Sequence, residues 1–213
     1  MFIPHAILTG DTIILKKSIC RQFYANLKSV KKYYENKLKK KFNLNIKCKF
    51  YDKKYIKKKG ISSFTGGIDS FYTLLKENDN INTLLYCINY DIKESQDKLL
   101  EKQLKTINDV GKLLNKKVII CKTNQRQVLE SIKSPANGWA YYIHGVCIFS
   151  NAYNLSNEYS NFYFPSSNII KINNLNKEIE QLWGSSLYLD KYYSSNFFKI
   201  INKDITTRLD KIK

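Results

Sequence analysis

The stretch that decides the fold is Ile61-Ser62-Ser63-Phe64-Thr65-Gly66-Gly67-Ile68-Asp69-Ser70-Phe71-Tyr72-Thr73-Leu74-Leu75-Lys76. A short strand-like run, Ile61 to Phe64, leads into two adjacent glycines, a carboxylate and a hydroxyl, and then into a helix-like segment. That order predicts strand, glycine turn, helix. Adjacent glycines allow positive φ and close approach of the backbone to a ligand, and the first turn of a helix aims unpaired N–H groups at the same point. Such a corner suits a phosphate. Its spacing fits neither Gly-x-x-x-x-Gly-Lys-Ser/Thr nor Gly-x-Gly-x-x-Gly, so neither a Walker A loop nor a dinucleotide fingerprint is present. Within the corner Thr65 and Ser70 offer hydroxyls, Gly66 and Gly67 an anion cradle of backbone N–H groups, and Asp69 a carboxylate placed to hold a divalent cation between phosphate oxygens. The plainer alternative is a simple strand-to-helix turn with Asp69 as its N-cap.

From Gly60 onward the pattern alternates β and α. It predicts an α/β domain over residues 60–213: a mainly parallel, doubly wound sheet with helices on both faces. Strands are expected at Ile61–Phe64, Thr83–Tyr90, Lys117–Lys122 and Asn161–Phe164. Helices are expected at Ser70–Lys76, Ser95–Leu114 and Tyr141–Leu155, with a shorter piece at Val128–Ile132. In the long helix Leu99, Leu100, Leu104, Ile107, Val110 and Leu113-Leu114 mark the buried stripe, and Lys98, Lys102 and Lys105 the solvated face.

In open parallel sheets ligands bind beyond the carboxyl ends of the strands, which selects the residues to inspect. Tyr90 and Asp91 end the second strand, where an adenine ring would rest, although Asp91 could equally begin a turn. Asn124 and Arg126 end the third, where Arg126 could grip a carboxylate or phosphate in a two-pronged contact. His144 precedes Gly145 at the start of an apolar helix, either as a functional group or as a satisfied structural one. Pro165-Ser166-Ser167 ends the fourth strand, and Trp183-Gly184-Ser185-Ser186 with Asp190 forms a polar cluster around an aromatic anchor, as a lid or a packed loop.

The first 59 residues read as a small α+β extension. A strand is expected at Thr12–Leu15, a helix from Ile19 to about Lys40 capped by Ser18, and a half-buried strand at Asn45–Tyr51. Asp52 to Gly60 is lysine-rich and reads as a solvated linker or a basic segment facing a substrate.

At 213 residues, with 43% hydrophobic and 25% charged residues, the chain can bury a core. Its longest apolar runs are far too short to span a bilayer. Met1 to Ala6 lacks the basic and apolar regions of a secretory signal, so the cytoplasm is the expected compartment. A net charge of +18 invites a nucleic-acid partner. Only Arg21, Arg126 and Arg208 are arginine, however, and Lys accompanies abundant Asn, Ile and Tyr, as AT-rich coding favours. The five cysteines, at 20, 48, 87, 121 and 147, form no Cys-x-x-Cys pair and are expected to be reduced thiols rather than zinc ligands or disulfides.

The Thr65–Ser70 loop resembles the Ser-Gly-Gly-x-Asp-Ser loop of the PP-loop ATP pyrophosphatases, and residues 61 to about 167 are similar to that superfamily in topology. The closest likeness is to poorly characterised members distantly similar to 7-cyano-7-deazaguanine synthases. It runs through Asp69-Ser70-Phe71-Tyr72-Thr73-Leu74-Leu75, Thr123-Asn124-Gln125-Arg126, His144-Gly145, Pro165–Ser167 and Trp183-Gly184-Ser185. The resemblance implies cleavage of ATP between its α and β phosphates, AMP transfer to a small-molecule or modified-base acceptor, and displacement by a nucleophile. It implies that Thr65, Gly66, Gly67, Asp69 and Ser70 hold pyrophosphate, with Asp69 also holding magnesium. Chemistry is then expected to rest on Asp69, Arg126 and His144, with Tyr90 and Asp91 beside the nucleotide. Asn124, Gly145, Ser166, Ser167 and Trp183 are expected to face the acceptor. Thr65 stands where the family usually has Ser, and the four-cysteine zinc site of the deazaguanine synthases has no counterpart, so their specific activity is not expected. The group commonly continues into a cysteine-bearing segment that is not found before Lys213. A shortened member that binds nucleotide without turnover is the rival expectation, and an RNA substrate, with the N-terminal lysines as a platform, is the third.

Overall fold

A computed structural model describes residues 1–133, 135–136, 138–165, 171–172, 178–179, 184–203 and 207–213. The chain opens with α1 (Ile3–Thr9), β1 (Thr12–Ile14), β2 (Ile19–Cys20), α2 (Arg21–Leu38), β3 (Asn45–Lys47) and β4 (Phe50–Tyr51). The central elements follow: β5 (Lys59–Ser63), α3 (Ile68–Lys76), β6 (Ile81–Ile88), α4 (Asp97–Leu113), β7 (Lys117–Lys122) and α5 (Gln125–Ser131). A π-helical turn, Trp139–Ile143, runs into α6 (His144–Tyr153). Then come β8 (Tyr159–Tyr163), the two-residue strands β9 (Lys171–Ile172) and β10 (Glu178–Ile179), a 3-10 turn at Asp190–Tyr193, and β11 (Lys199–Ile201).

Five strands form one sheet in the order β11-β8-β5-β6-β7, and every pairing in it is parallel. The central strand is β5: Ser62 pairs with Leu84 on one side and with Tyr163 on the other. The chain moves outward from β5 through β6 to β7, then returns to the opposite side for β8 and β11. That reversal leaves the loop after β5 at the switch point of the sheet, where neighbouring connections diverge and open a crevice.

Strand β6 shows why the sheet is covered. Leu84, Tyr86 and Ile88 enter one hydrophobic cluster with Leu74 of α3 and with Leu100 and Ile107 of α4. Leu85 and Cys87, at the alternate positions, enter a second cluster with Val146, Cys147 and Phe149 of α6. Ile7 of α1 and Leu27, Val30 and Tyr34 of α2 belong to that second cluster too. The N-terminal elements thus bury apolar surface against the same sheet.

Several expectations are adjusted by this packing. Ser18 does not cap α2: Ile19 and Cys20 pair with Phe50 and Tyr51 instead, and the helix begins after them, with Cys20 at the cap position and no side-chain cap. The strand expected across residues 45–51 is broken into β3, paired with β1, and β4, paired with β2. Residues 52–58 carry no regular structure but are tied down, since the Lys58 N–H donates to Ser160 Oγ at 2.8 Å and Tyr55 Oη to Asn161 Oδ1 at 3.2 Å. Strand β11 was not expected; it is recruited at the edge by β8, and the Phe164 N–H donates to the Ile201 carbonyl at 2.9 Å. Cys20, Cys87 and Cys147 are buried free thiols, while Cys48 and Cys121 are half-buried. Among the described residues no helix is long and apolar enough to cross a membrane.

Because Leu27 is fully enclosed in the cluster shared with the sheet, Leu27→Ala is expected to cost roughly 2–4 kcal/mol. The loss should appear as a shift of the main urea transition followed by circular dichroism and by tyrosine and tryptophan fluorescence. A separate early transition confined to one probe would show that the N-terminal helix unfolds by itself.

Candidate functional site

The loop after β5 is built by backbone geometry. Gly66 sits at φ +70°, a left-handed conformation that side-chain-bearing residues seldom adopt. The turn is pinned from outside by Gln103 of α4, whose Nε2 donates to the Thr65 carbonyl at 2.6 Å. Gly67 is the N-cap of α3 and makes no side-chain cap, so the first-turn N–H groups lack the usual side-chain acceptor at the helix start. Thr65 and Gly67 are exposed, and the buried Ser70 donates from Oγ to the Gly67 carbonyl at 2.7 Å, bracing the turn from within.

Asp69 lies inside the first turn of α3 rather than at its cap. Oδ1 accepts from Lys211 Nζ at 2.7 Å, and Oδ2 accepts from Arg208 Nη2 at 3.0 Å and Nε at 3.3 Å. The side chains of Asp69 and Lys211 are 15% and 2% exposed. This geometry sets aside the N-cap alternative and turns the one acid of the motif into the centre of a charge cluster. Beside it a cleft of about 500 Å³ is lined by Gly66, Ile68, Phe71, Tyr72, Lys76 and Lys211, among others.

A second, larger cleft of about 970 Å³ lies beyond the carboxyl ends of β6 and β7, and it gathers Tyr90, Asp91, Asn124 and Arg126. Arg126 is fixed from three sides. Its Nη1 donates to the Tyr90 carbonyl, its Nε donates to Glu130 Oε1 at 3.0 Å, and its guanidinium lies 4.8 Å from the Trp139 ring centre. Trp139 in turn packs on Tyr90 with 4.9 Å between ring centres. The Tyr90 hydroxyl is held by Gln125 and by Asn151 Nδ2 at 2.8 Å, and burial pushes its pKa well up, so it stays a neutral phenol. Asp91 is exposed as a residue, yet crowding by the cleft walls pushes its carboxyl pKa up while Arg126 pulls it down. Asn124 is exposed at the N-cap of α5 and makes no cap with its side chain. The cleft therefore offers a rigid cation, an aromatic wall and a free-standing amide, a set that binds rather than transfers protons.

His144 neighbours Trp139, with 6.3 Å between ring centres, but its ring nitrogens are held by other partners. Its Nδ1 lies 3.1 Å from the Ala140 carbonyl, which can only accept, so Nδ1 carries the proton. Nε2 then accepts from Ser185 Oγ at 3.0 Å. Burial drives the imidazole pKa down from 6.5 to about 4, against a raising influence from the carbonyls of Ala140 and Trp139. Gly145 is where two segments touch: a Cβ there would meet the Gly184 carbonyl at 2.3 Å. Ser186 and the buried Asp190 close the same region, with the Ser186 N–H donating to Asp190 Oδ1 at 2.9 Å. The two motifs His144-Gly145 and Gly184-Ser185, 40 residues apart in sequence, are thus halves of one packed joint. Ser166, Ser167 and Trp183 lie outside the described residues.

The structure brings Tyr90, Asp91, Asn124 and Arg126 together and keeps Thr65 to Ser70 as one unit, while His144 and Gly145 belong to the joint with Gly184. Sequence reading missed Arg208, Lys211, Gln103 and Trp139. The only signal for the first two is their i, i+3 spacing, and nothing in that spacing points to a carboxylate 139 residues away. Among the described residues no three His, Cys, Asp or Glu side chains converge as a metal cage. A magnesium ion here would take one carboxylate, Asp69, and complete its shell with phosphate oxygens and water, which is a common way for magnesium to bind. Compared with family models and with curated proteins, the chain matches none.

His144 generates a pH prediction. Its folded-state pKa of about 4 lies below the ordinary 6.5, so the neutral ring stabilises the fold fully above pH 6.5, and that contribution is lost as pH falls toward 4. Urea midpoints are expected to drop across this window, and His144→Gln is expected to flatten the drop. Parallel pH profiles for the two proteins would show that His144 does not carry it.

Proposed function

We propose that the chain is an ATP-binding enzyme of the PP-loop type, cleaving ATP to AMP and pyrophosphate and adenylating a small-molecule or modified-base acceptor. The observation that carries this reading is the Thr65–Ser70 loop. An uncapped helix N-terminus, a left-handed glycine and one carboxylate sit at the switch point of a parallel sheet. The finer fold assignment, a doubly wound sheet of the PP-loop kind with helices on both faces, belongs to the same proposal and is supported by the two clusters that receive alternate residues of β6.

On this reading the loop holds the β and γ phosphates, Asp69 supplies the protein ligand of magnesium, and magnesium supplies charge neutralisation at the phosphates. The cleft of Tyr90, Asp91, Asn124 and Arg126 receives the rest of the nucleotide or the acceptor, with the Arg126 guanidinium set for an anionic group. Rate acceleration then comes from positioning and fixed charge rather than from proton transfer. His144, neutral and held at both ring nitrogens, acts by holding the Gly184–Ser185 segment against the π-helical turn. Asp69→Ala is expected to abolish magnesium-dependent pyrophosphate release from ATP. Undiminished release by that variant would refute the proposal, and ATP binding without release across an acceptor screen would favour a nucleotide-binding module without turnover.

A second reading, in which RNA is the acceptor, is favoured by where the charge lies. Residues 1–59 hold 17 of the 36 basic residues and only 3 of the 18 acidic ones, a concentration that uniform coding bias does not produce. A groove of about 570 Å³ beside α2 is lined by Lys28, Lys31, Lys32 and Lys41, and Phe50, Tyr51 and Tyr55 are exposed among neighbouring lysines. Lysines interleaved with exposed aromatic rings suit single-stranded nucleic acid. RNA affinity measured by fluorescence anisotropy is expected to fall about a thousandfold between 50 and 200 mM salt if six or more phosphates are contacted; a shallow slope excludes the platform.

A further inference from the structure

Two thiols face each other near the carboxyl ends of neighbouring strands, beneath the larger cleft. Cys87 of β6 and Cys121 of β7 are direct partners in the parallel register. Strands of a sheet lie about 4.8 Å apart, inside the range of Cα separations that a disulfide spans. Both side chains lie on one face of the sheet: Cys87 belongs to the cluster that α6 enters, and Cys121 packs against it. Strand β7 is the edge of the sheet, and Cys121 on it is half-buried, whereas Cys87 is buried one strand further in. One member of the pair is therefore within reach of a small solute, and the other lies behind it. A hydrogen bond from the Cys87 thiol lowers the Cys121 pKa against the opposing pull of burial, and the same bond, with burial, raises that of Cys87. Near them Cys147 of α6 is fully enclosed, and burial pushes its pKa up to about 12, so it stays protonated. Asn151 links the pair to the cleft: its Nδ2 lies 3.6 Å from Cys87 Sγ and donates to the Tyr90 hydroxyl at 2.8 Å. Tyr90 lines the cleft and packs on Trp139.

We propose that Cys87 and Cys121 form a redox-active dithiol, oxidised by hydrogen peroxide to a cross-strand disulfide, and that the cleft above senses the change through Asn151 and Tyr90. The Cys121 thiolate attacks one peroxide oxygen; the O–O bond breaks, hydroxide leaves, and the sulfur becomes a sulfenic acid. That hydroxide takes the Cys87 proton and becomes water. The Cys87 sulfur then attacks the Cys121 sulfur, the S–S bond forms, and the S–O bond breaks to release a second hydroxide. The two sulfurs give up two electrons, and the peroxide takes them. As the Cys87 sulfur turns toward Cys121 it leaves Asn151, and the amide that holds the Tyr90 hydroxyl loses that contact. Nothing in this step depends on which ligand the cleft takes.

The test treats the full chain with hydrogen peroxide, blocks the remaining thiols with N-ethylmaleimide and maps the peptides by mass spectrometry. A Cys87–Cys121 link that dithiothreitol reverses is expected, formed about threefold to tenfold faster than the oxidation of Cys48, which is also half-buried. Cys87→Ser keeps a hydrogen-bond donor but no sulfur, and is expected to stop Cys121 at the sulfenic acid, which dimedone traps. Cys121→Ser, on the edge strand, is the folded control and is expected to leave Cys87 unoxidised at the same dose. Trp183→Phe leaves Trp139 as the one tryptophan, whose emission is expected to shift on oxidation, to return on reduction, and to stay constant when Cys121→Ser is added. Failure of the link to form, a link to Cys147, a dimedone adduct on Cys87 in place of Cys121, or oxidation of Cys48 that keeps pace overturns the dithiol. A link formed with unchanged Trp139 emission overturns the sensing by the cleft and leaves the dithiol standing.

Discussion

Everything in this molecule is arranged around the parallel pairing of β5 on both of its edges. Parallel strands need long crossovers between them, so a central strand with neighbours on both sides requires the chain to leave in one direction and return in the other. The return forces the connections after β5 and β8 to diverge. A turn placed at that divergence is open to solvent, with the first helical turn of α3 pointing into the gap. The buried surfaces follow from the same pairing: Ile61, on β5, lies in the cluster that α2 and α6 also enter, while Phe64, just beyond the strand, lies with α3 and α4.

The charges of the loop obey a different constraint. A carboxylate in the first turn of a helix is favourable by itself, because it meets the positive end of the helix dipole. Asp69 does this and also compensates a lysine with almost no access to water. Each carboxylate oxygen serves a cation, Oδ1 the Lys211 ammonium and Oδ2 the Arg208 guanidinium.

Particular residues show where sequence and structure part. Gly66 and Gly67 are legible because backbone geometry restricts what a tight strand-to-helix corner accepts, and the observed φ of Gly66 is what that restriction leads one to expect. In the stripe expected on α4, Leu100 and Ile107 are buried and Leu104, Val110 and Leu114 pack against their cluster, as helical periodicity dictates, whereas Leu99 and Leu113 are exposed on the solvent side. The Ser18 cap is not legible, since two residues of strand intervene, and their pairing with Phe50 and Tyr51 depends on a segment 31 positions away. Strand β11 was illegible for the same reason: three residues acquire extended structure only when an edge of β8 is available. His144-Gly145 and Gly184-Ser185 were each visible as unusual pairs, but that they are one joint is a statement about distance between segments, on which local pattern is silent.

What the sequence determined by itself is what local chemistry dictates: alternating strand and helix periods, a glycine corner with its carboxylate and hydroxyls, and an N-terminal region thick with lysine. Those depend on steric limits and on periodicity, which act over a few residues. The tertiary structure alone decided that β5 is central, that α2 shares the core of the sheet, and that Tyr90 and Arg126 meet under Trp139. It alone decided, too, that Asp69 is held by Arg208 and Lys211. These are contacts between segments far apart in the chain, chosen by which arrangement buries the most apolar surface while leaving no charge uncompensated, and no short window of sequence contains both partners.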